Sequence, residues 1–213
     1  STRAGAGIIR IGTTHGQAKC VLPEPMQRFS RAHPHVQFEI RQAQPVDIVS
    51  LVASGDVDIG LTPLPDNGDR RVTFVAYRAY PPVILLPTMH PLAAKRHISL
   101  RALAKFPIIT TGVGHIGRND VLAVFAANRI DPIIQLSAPD FDIVKACVER
   151  GLGIAILPSY TYDAEKDKNI CAVDASHLFP GIVSSVVLPS TIPAPTIVYR
   201  FLNVLMPGVP SRK

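Results

Sequence analysis

The chain has 213 residues, 47% of them hydrophobic, enough for one large or two small domains with a sizeable core. No apolar run approaches the length of a membrane-crossing helix. The net charge of +6 comes from scattered pairs such as Arg70-Arg71 and Lys95-Arg96 without interleaved aromatics, which supports weak nonspecific attraction to anions and argues against a nucleic-acid-reading surface.

The opening residues Ser1-Thr2-Arg3-Ala4-Gly5-Ala6-Gly7 are small and polar, unlike a secretion signal, and read as a linker remnant of a protein that extends further N-terminally. Ile8-Ile9-Arg10-Ile11 is then a short apolar strand that runs into Gly12-Thr13-Thr14-His15-Gly16-Gln17-Ala18. That is a strand, a hydroxyl-rich turn and a helix start. Such a turn suits a small anion, because free backbone N–H groups and the helix dipole face it. The helix is expected over Gln17 to Ala32, with Ala18, Leu22, Met26 and Phe29 on one face and Pro23 and Pro25 inside it.

Val36 to Ile40 alternates as a half-buried strand. Pro45 to Ser54 is a helix closed by Gly55, and Asp58 to Thr62 a buried strand. Val72 to Val75 and Val83 to Leu86 are strands, and Ser99 caps a helix over Leu100 to Lys105. Phe106 to Thr111 is a strand, Arg118 to Asn128 a helix, Ile133 to Leu136 a strand and Phe141 to Arg150 a helix. Ile154 to Leu157 and Val183 to Leu188 are strands, Thr196 to Leu205 is the last helix, and a Pro- and Gly-rich tail is expected to be mobile. Alternating strands and helices predict an α/β fold.

The turn Thr110-Thr111-Gly112-Val113-Gly114-His115-Ile116-Gly117-Arg118 repeats the design of the first one. Two such turns predict two α/β lobes facing one cleft, with ligands at the carboxyl ends of strands. Thr14, Gly16 and Gln17 are either ligand donors or ordinary helix-capping groups. Hydroxyls that recur at the ends of separate strands, at Thr62 and Thr111, favour the ligand reading. Gly112-x-Gly114-x-x-Gly117 also fits a dinucleotide fingerprint, but the acidic residue expected to end the next strand is missing; Asp140 is offset. An anion-facing loop fits better. His15 and His115 have no third ligand at metal spacing, so they read as polar or capping residues. Asp140 and Asp142 suit a helix start. Neither a nucleophile elbow nor a P-loop is present. No catalytic residue, metal or cofactor is expected, and the chain is not expected to be an enzyme. Cys20, Cys147 and Cys171 are odd in number and far apart, and read as buried free thiols of a reducing compartment.

The order of these features resembles the effector-binding domain of LysR-type transcriptional regulators over nearly the whole chain. The resemblance rests on the opening strand and helix ending near Pro34, on Gly55-Asp56-Val57-Asp58-Ile59-Gly60-Leu61, on His90-Pro91-Leu92-Ala93, and on Val148 to Pro158. Thr13-Thr14-His15-x-Gln17-Ala18, the Pro107-to-Arg118 segment and Asp140-x-Asp142-Ile143-Val144-Lys145 are similar to the CysB-like branch, which regulates sulfur assimilation and cysteine biosynthesis. The resemblance implies a periplasmic-binding-protein-like fold of type 2, with two lobes joined by two crossover strands. Lobe I would take residues 7–77 and 181–205 and lobe II residues 78–180. A winged helix-turn-helix domain, absent from this chain, would bind promoter DNA.

It further implies an anion site at Thr14, Gln17 and Thr62, with Thr13, Tyr80, Thr111, Gly114 and Arg118 as neighbours. Two threonines of that branch are replaced here by Gly16 and Ile116, which removes hydroxyls and shifts the expected effector from plain sulfate towards a larger or organic sulfur-pathway ligand. Sulfate, O-acetylserine, N-acetylserine and adenosine phosphosulfate are the implied effectors, in a cytoplasmic homodimer or homotetramer that contacts no membrane. A free-standing oxyanion-binding protein and a small nucleotide-dependent enzyme are the alternatives.

Overall fold

The computed structural model describes residues 7–65, 68–112, 116–191 and 193–207, and only the backbone of Ile116. Gly114, His115, the linker-like start and the end of the tail lie outside the described residues. In chain order the elements are β1 (Ile8–Thr13), α1 (His15–Cys20), α2 (Pro23–Ala32), β2 (Gln37–Gln42), α3 (Pro45–Ser54), β3 (Ile59–Pro63), β4 (Val72–Tyr80) and β5 (Pro82–Pro87). They continue with α4 (Leu100–Leu103), β6 (Ile108–Thr111), α5 (Ile116–Ala127), β7 (Ile134–Ala138), α6 (Phe141–Glu149), β8 (Ala155–Pro158), β9 (Ile170–Asp174), β10 (Ile182–Pro189) and α7 (Thr196–Leu205). Among the described residues no helix is long and apolar enough to cross a membrane.

The expected first helix is two helices. Pro23 has no N–H for the carbonyl four residues back, and its ring crowds that carbonyl, so α1 stops and α2 starts with Pro23 in its first turn. β4 runs five residues beyond the expected Val75, and β9 was not anticipated. Both are held by strand partners, and the apolar run of β9, Ile170 to Val173, is short and follows a polar segment. None of the three cysteines is in a disulfide, but Cys20 is exposed and Cys147 and Cys171 are half-buried, which corrects the expectation of buried thiols. Cys20 ends a short helix whose buried face is spent on Gly16 and Gln17.

The chain forms two compact units, one ending at Arg78 and resuming at Val183, the other running from Ala79 to Ile182. In the first unit five strands lie in the order β2-β1-β3-β10-β4. β1 is parallel to β2 and β3, and β10 is antiparallel to β3. One face is covered by α3. Gly12 and Gly60 are registered neighbours on that face, and a Cβ at Gly60 would lie 2.6 Å from Cγ2 of Ile48. Ile48, Val52, Val57, Val72 and Val187 form the core there. The other face carries Ile9 and its partner Phe38. The rings of Phe29 on α2 and Phe201 on α7 meet edge to face at 5.4 Å, and Phe38 meets Phe201 at 5.1 Å.

The second unit is built around β5, which pairs antiparallel with β8 and β9. Ile84 and Leu86 enter one cluster with Leu103, Phe125 and Phe179; Leu85 enters another with Ile109, Val144 and Val148. A strand buried on both faces reads as the continuous apolar run seen in its sequence. β6 and β7 form a parallel pair, and β6 joins the start of β8 through the backbone of Pro107, Ile109 and Ile154. A Cβ at Gly153 would strike the Pro107 carbonyl, so glycine is what permits this join. In the turn after β5, the His90 ring meets Phe106 edge to face at 4.5 Å, and its Nδ1 accepts a hydrogen bond from the Leu92 N–H at 3.2 Å.

Gly153→Ala is expected to destabilise the second unit by about 1–3 kcal/mol, the usual cost of overpacking, read as a lower urea midpoint. A smaller effect of pH follows from His90. Burial holds its pKa below the usual histidine value, and the accepting Nδ1 requires the neutral ring. Its contribution is present in full above pH 6.5 and is lost as pH falls through the lower folded-state value. Urea midpoints across pH should show an acid-side loss that His90→Gln reduces; an identical pH profile in the variant refutes the assignment.

Candidate functional site

The end of the first unit's sheet collects polar groups because of strand register. β1 and β3 run parallel with Gly12 beside Gly60 and Thr13 beside Leu61, so their carboxyl ends finish level. Antiparallel β10 places Ser185 opposite Thr62 and Ser184 opposite Pro63. Thr13, Gln17, Ser184 and Ser185 are 0% exposed and Thr62 is 1% exposed. Apart from Thr161, these are the buried polar side chains among the described residues. Polarity in the interior is therefore concentrated at this sheet end.

Most of that polarity is unspent. Ser185 donates to the Thr62 carbonyl at 3.0 Å. Neither amide atom of Gln17 has a hydrogen-bond partner, nor do the hydroxyls of Thr62 and Ser184. Leaving such a buried group unpaired costs about 1–3 kcal/mol. Thr14 sits at the N-cap of α1 in extended geometry, and its carbonyl accepts from the Ala18 N–H at 3.0 Å. Its side chain makes no capping bond, so ordinary helix capping does not account for it. Gly16 is buried beside Gln17 in α1. Ser184 and Ser185 were not singled out by the sequence reading. Their only signal is a pair of hydroxyls at the start of an otherwise apolar strand.

The second unit carries the remaining expected residues. Thr111 is half-buried at the end of β6, in register with Ala138 of β7. Arg118 lies in the first turn of α5, half-exposed overall, with Nε buried and without a partner. Tyr80 is 8% exposed and its ring meets Tyr160 edge-on at 4.7 Å. It borders a cavity of about 20 Å³ with Pro82, Val121 and Ile156, room for one water and far too small for an effector. Gly114 lies outside the described residues, as does the side chain of Ile116.

Other motif residues are structural. Asp140 caps α6, accepting from the N–H groups of Asp142 and Ile143 at 2.9 and 3.0 Å. Lys145 forms a largely buried pair with Asp167 at 2.9 Å and ties α6 to the segment before β9. His15 opens α1 with Nδ1 3.4 Å from Oε1 of Gln42. Gly117 packs against Ile182, so its place in the glycine pattern has a packing reason. His33, Pro34 and His35 line an open groove of about 580 Å³ with Arg200, at the opposite end of β1 from the buried polar set.

The LysR substrate-binding domain family matches residues 2–208. The transcriptional regulator SsuR of Burkholderia cenocepacia is 30% identical over 203 residues, covering 95% of this chain and 66% of that protein. CysB of Haemophilus influenzae is 33% identical over 207 residues, 97% of this chain and 64% of that protein. The chain thus spans about two thirds of the length of these relatives. The crystal structure of the cofactor-binding domain of the Cbl transcriptional regulator superposes with a TM-score of 0.89 at 30% identity, covering 99% of this chain and 92% of that one.

Gln17→Met removes both unpartnered amide atoms at similar volume. The unliganded chain should become more stable by about 1 kcal/mol or more, because a buried unsatisfied group is replaced by an apolar one. Thermal or urea unfolding reads this directly; a loss of stability would mean that the amide is paired in solution.

Proposed function

The chain belongs to the LysR substrate-binding domain family, and from that premise we propose that it is the sensing part of a bacterial transcriptional regulator of sulfur or sulfonate assimilation or of cysteine biosynthesis. LysR domains of this kind take small-molecule effectors and are not enzymes, which removes the nucleotide-dependent alternative. Gly117, the last glycine of the pattern, lies inside α5. Membership in a regulator family also favours this reading over a free-standing oxyanion-binding protein.

The observation that carries the proposal is the buried, unspent set of Gln17 and Thr62 at the end of β1 and β3. These are the positions at which the resemblance to the CysB-like branch puts the effector. Thr13, Thr14 and Gly16 complete that wall, and the resemblance assigns Tyr80, Thr111, Gly114, Ile116 and Arg118 to the same ligand. An effector alters the regulator only through different affinities for its conformations. DNA recognition belongs to an N-terminal winged helix-turn-helix segment outside this chain, and a cytoplasmic homodimer or homotetramer passes the signal on.

Calorimetry of the chain against sulfate, O-acetylserine, N-acetylserine, thiosulfate and adenosine phosphosulfate tests this reading. At least one should bind, and Thr62→Val should weaken it by about tenfold, the value of one buried hydrogen bond. Arg118→Met tests the second unit separately. Failure of all five ligands, or full affinity in both variants, refutes the site.

A further inference from the structure

A second cluster of groups lies in the first unit at the amino-terminal end of β1, away from the buried polar set at its carboxyl end. It begins with Pro34, which cannot extend α2. The His33 N–H donates to the Phe29 carbonyl at 2.9 Å and closes that helix. The His33 carbonyl then accepts from the Val36 N–H at 3.1 Å, and the Gln37 N–H donates to the Gly7 carbonyl at 3.0 Å. The turn from α2 to β2 is thereby fastened to the start of β1. Ile197, in the first turn of α7, packs along Gly7, where a Cβ would lie 3.4 Å from its Cγ2. The turn and the helix line an open groove of about 580 Å³, within the range of small-molecule sites.

The polar lining of this groove has one sign of charge. Arg200, His33, His35 and the hydroxyl-bearing Thr196 belong to it, and among the described residues no Asp or Glu does. Thr196 and Arg200 are four residues apart in α7 and share a face. The His33 ring is held against the buried Phe29 ring, with centroids 4.4 Å apart, so its position is set without a ligand. Arg10 and Arg71 are paired with Glu39 and Asp69. The Arg200 guanidinium forms no ion pair or hydrogen bond, and the His35 ring forms none either. A guanidinium presents a planar fork of donors that suits carboxylate or phosphate oxygens, and an imidazole keeps at least one N–H donor in either charge state. The rest of the lining includes the apolar Pro34, Val36 and Ile197, which a bare inorganic ion would leave uncovered.

We propose that this groove is a binding site for a small organic anion, distinct from the effector wall at the other end of β1. Arg200 and the two imidazoles hold a carboxylate or phosphate head, and Pro34, Val36 and Ile197 receive an apolar body.

Phenyl phosphate and phenylacetate are the probes, with inorganic phosphate and phenol as controls that carry only a head or only a body. Amide shifts in NMR spectra of the 213-residue chain should place at least one of the two organic anions at Gly7, Val36 and Ile197, and their relative affinity identifies the preferred head. That anion should bind at least about tenfold more tightly than either control, because each control forfeits the apolar contact or the charge-assisted hydrogen bonds. Arg200→Gln keeps a good helix former at an exposed position and should weaken binding by about tenfold, the worth of one charge-assisted hydrogen bond. His35→Gln should weaken it by about threefold.

Shifts confined to other amides, a control that binds as tightly as the organic anions, or full affinity in both variants overturns the proposal. So does a groove that ignores both organic anions and responds to hexaglutamate, which would make it a docking place for an acidic protein segment.

Discussion

Parallel pairing of β1 with β3 is the constraint on which the site depends. Two parallel neighbours end on the same side of a sheet, so the groups that follow each strand arrive at one edge. The pairing in turn depends on Gly12 and Gly60. They lie side by side under α3, where a side chain at either would meet Ile48 or Val57. With those two positions empty of side chain, α3 seats closely and the strands stay level. Thr13, Thr14 and Thr62 then reach the edge without a polar residue having to be buried deeper in the sheet.

The second consequence is energetic. A closely packed unit has few ways to satisfy hydroxyls and amides at a strand end other than by the backbone of its neighbours. Ser185 takes that route. Gln17, Thr62 and Ser184 do not. Unpaired buried groups of this kind cost stability.

The second unit illustrates how closely functional and structural motifs can overlap. The segment Asp140 to Lys145 resembles the regulator branch as clearly as the first turn does. In the structure Asp140 serves the start of α6, and Lys145 anchors the following loop through Asp167. Gly117 likewise makes room for Ile182. Thr111, half-buried at the end of β6, and Arg118, with its buried Nε, have no such structural partner among the described hydrogen bonds.

Much of the fold was legible because its signals are local. Pro45 and Gly55 bracket α3, Thr196 to Leu205 has an apolar helical face, and Ser99 and Asp140 cap the helices they precede. The run Val83 to Leu86 read as a strand, as it is in β5. The break between α1 and α2 was also written locally, in Pro23, but its outcome depended on whether tertiary packing would tolerate a kinked single helix. In β9 the apolar run Ile170 to Val173 is short, and in the far half of β4 Arg78 interrupts the apolar residues, so pairing with distant strands decided both. The amino-acid sequence by itself determined which polar residues follow which strands, and it named Gln17 and Thr62. Only the tertiary structure decided that they are buried and unpartnered, and brought Ser184 and Ser185 beside them. Burial and hydrogen-bond satisfaction are properties of neighbours, and these neighbours lie more than a hundred residues apart along the chain.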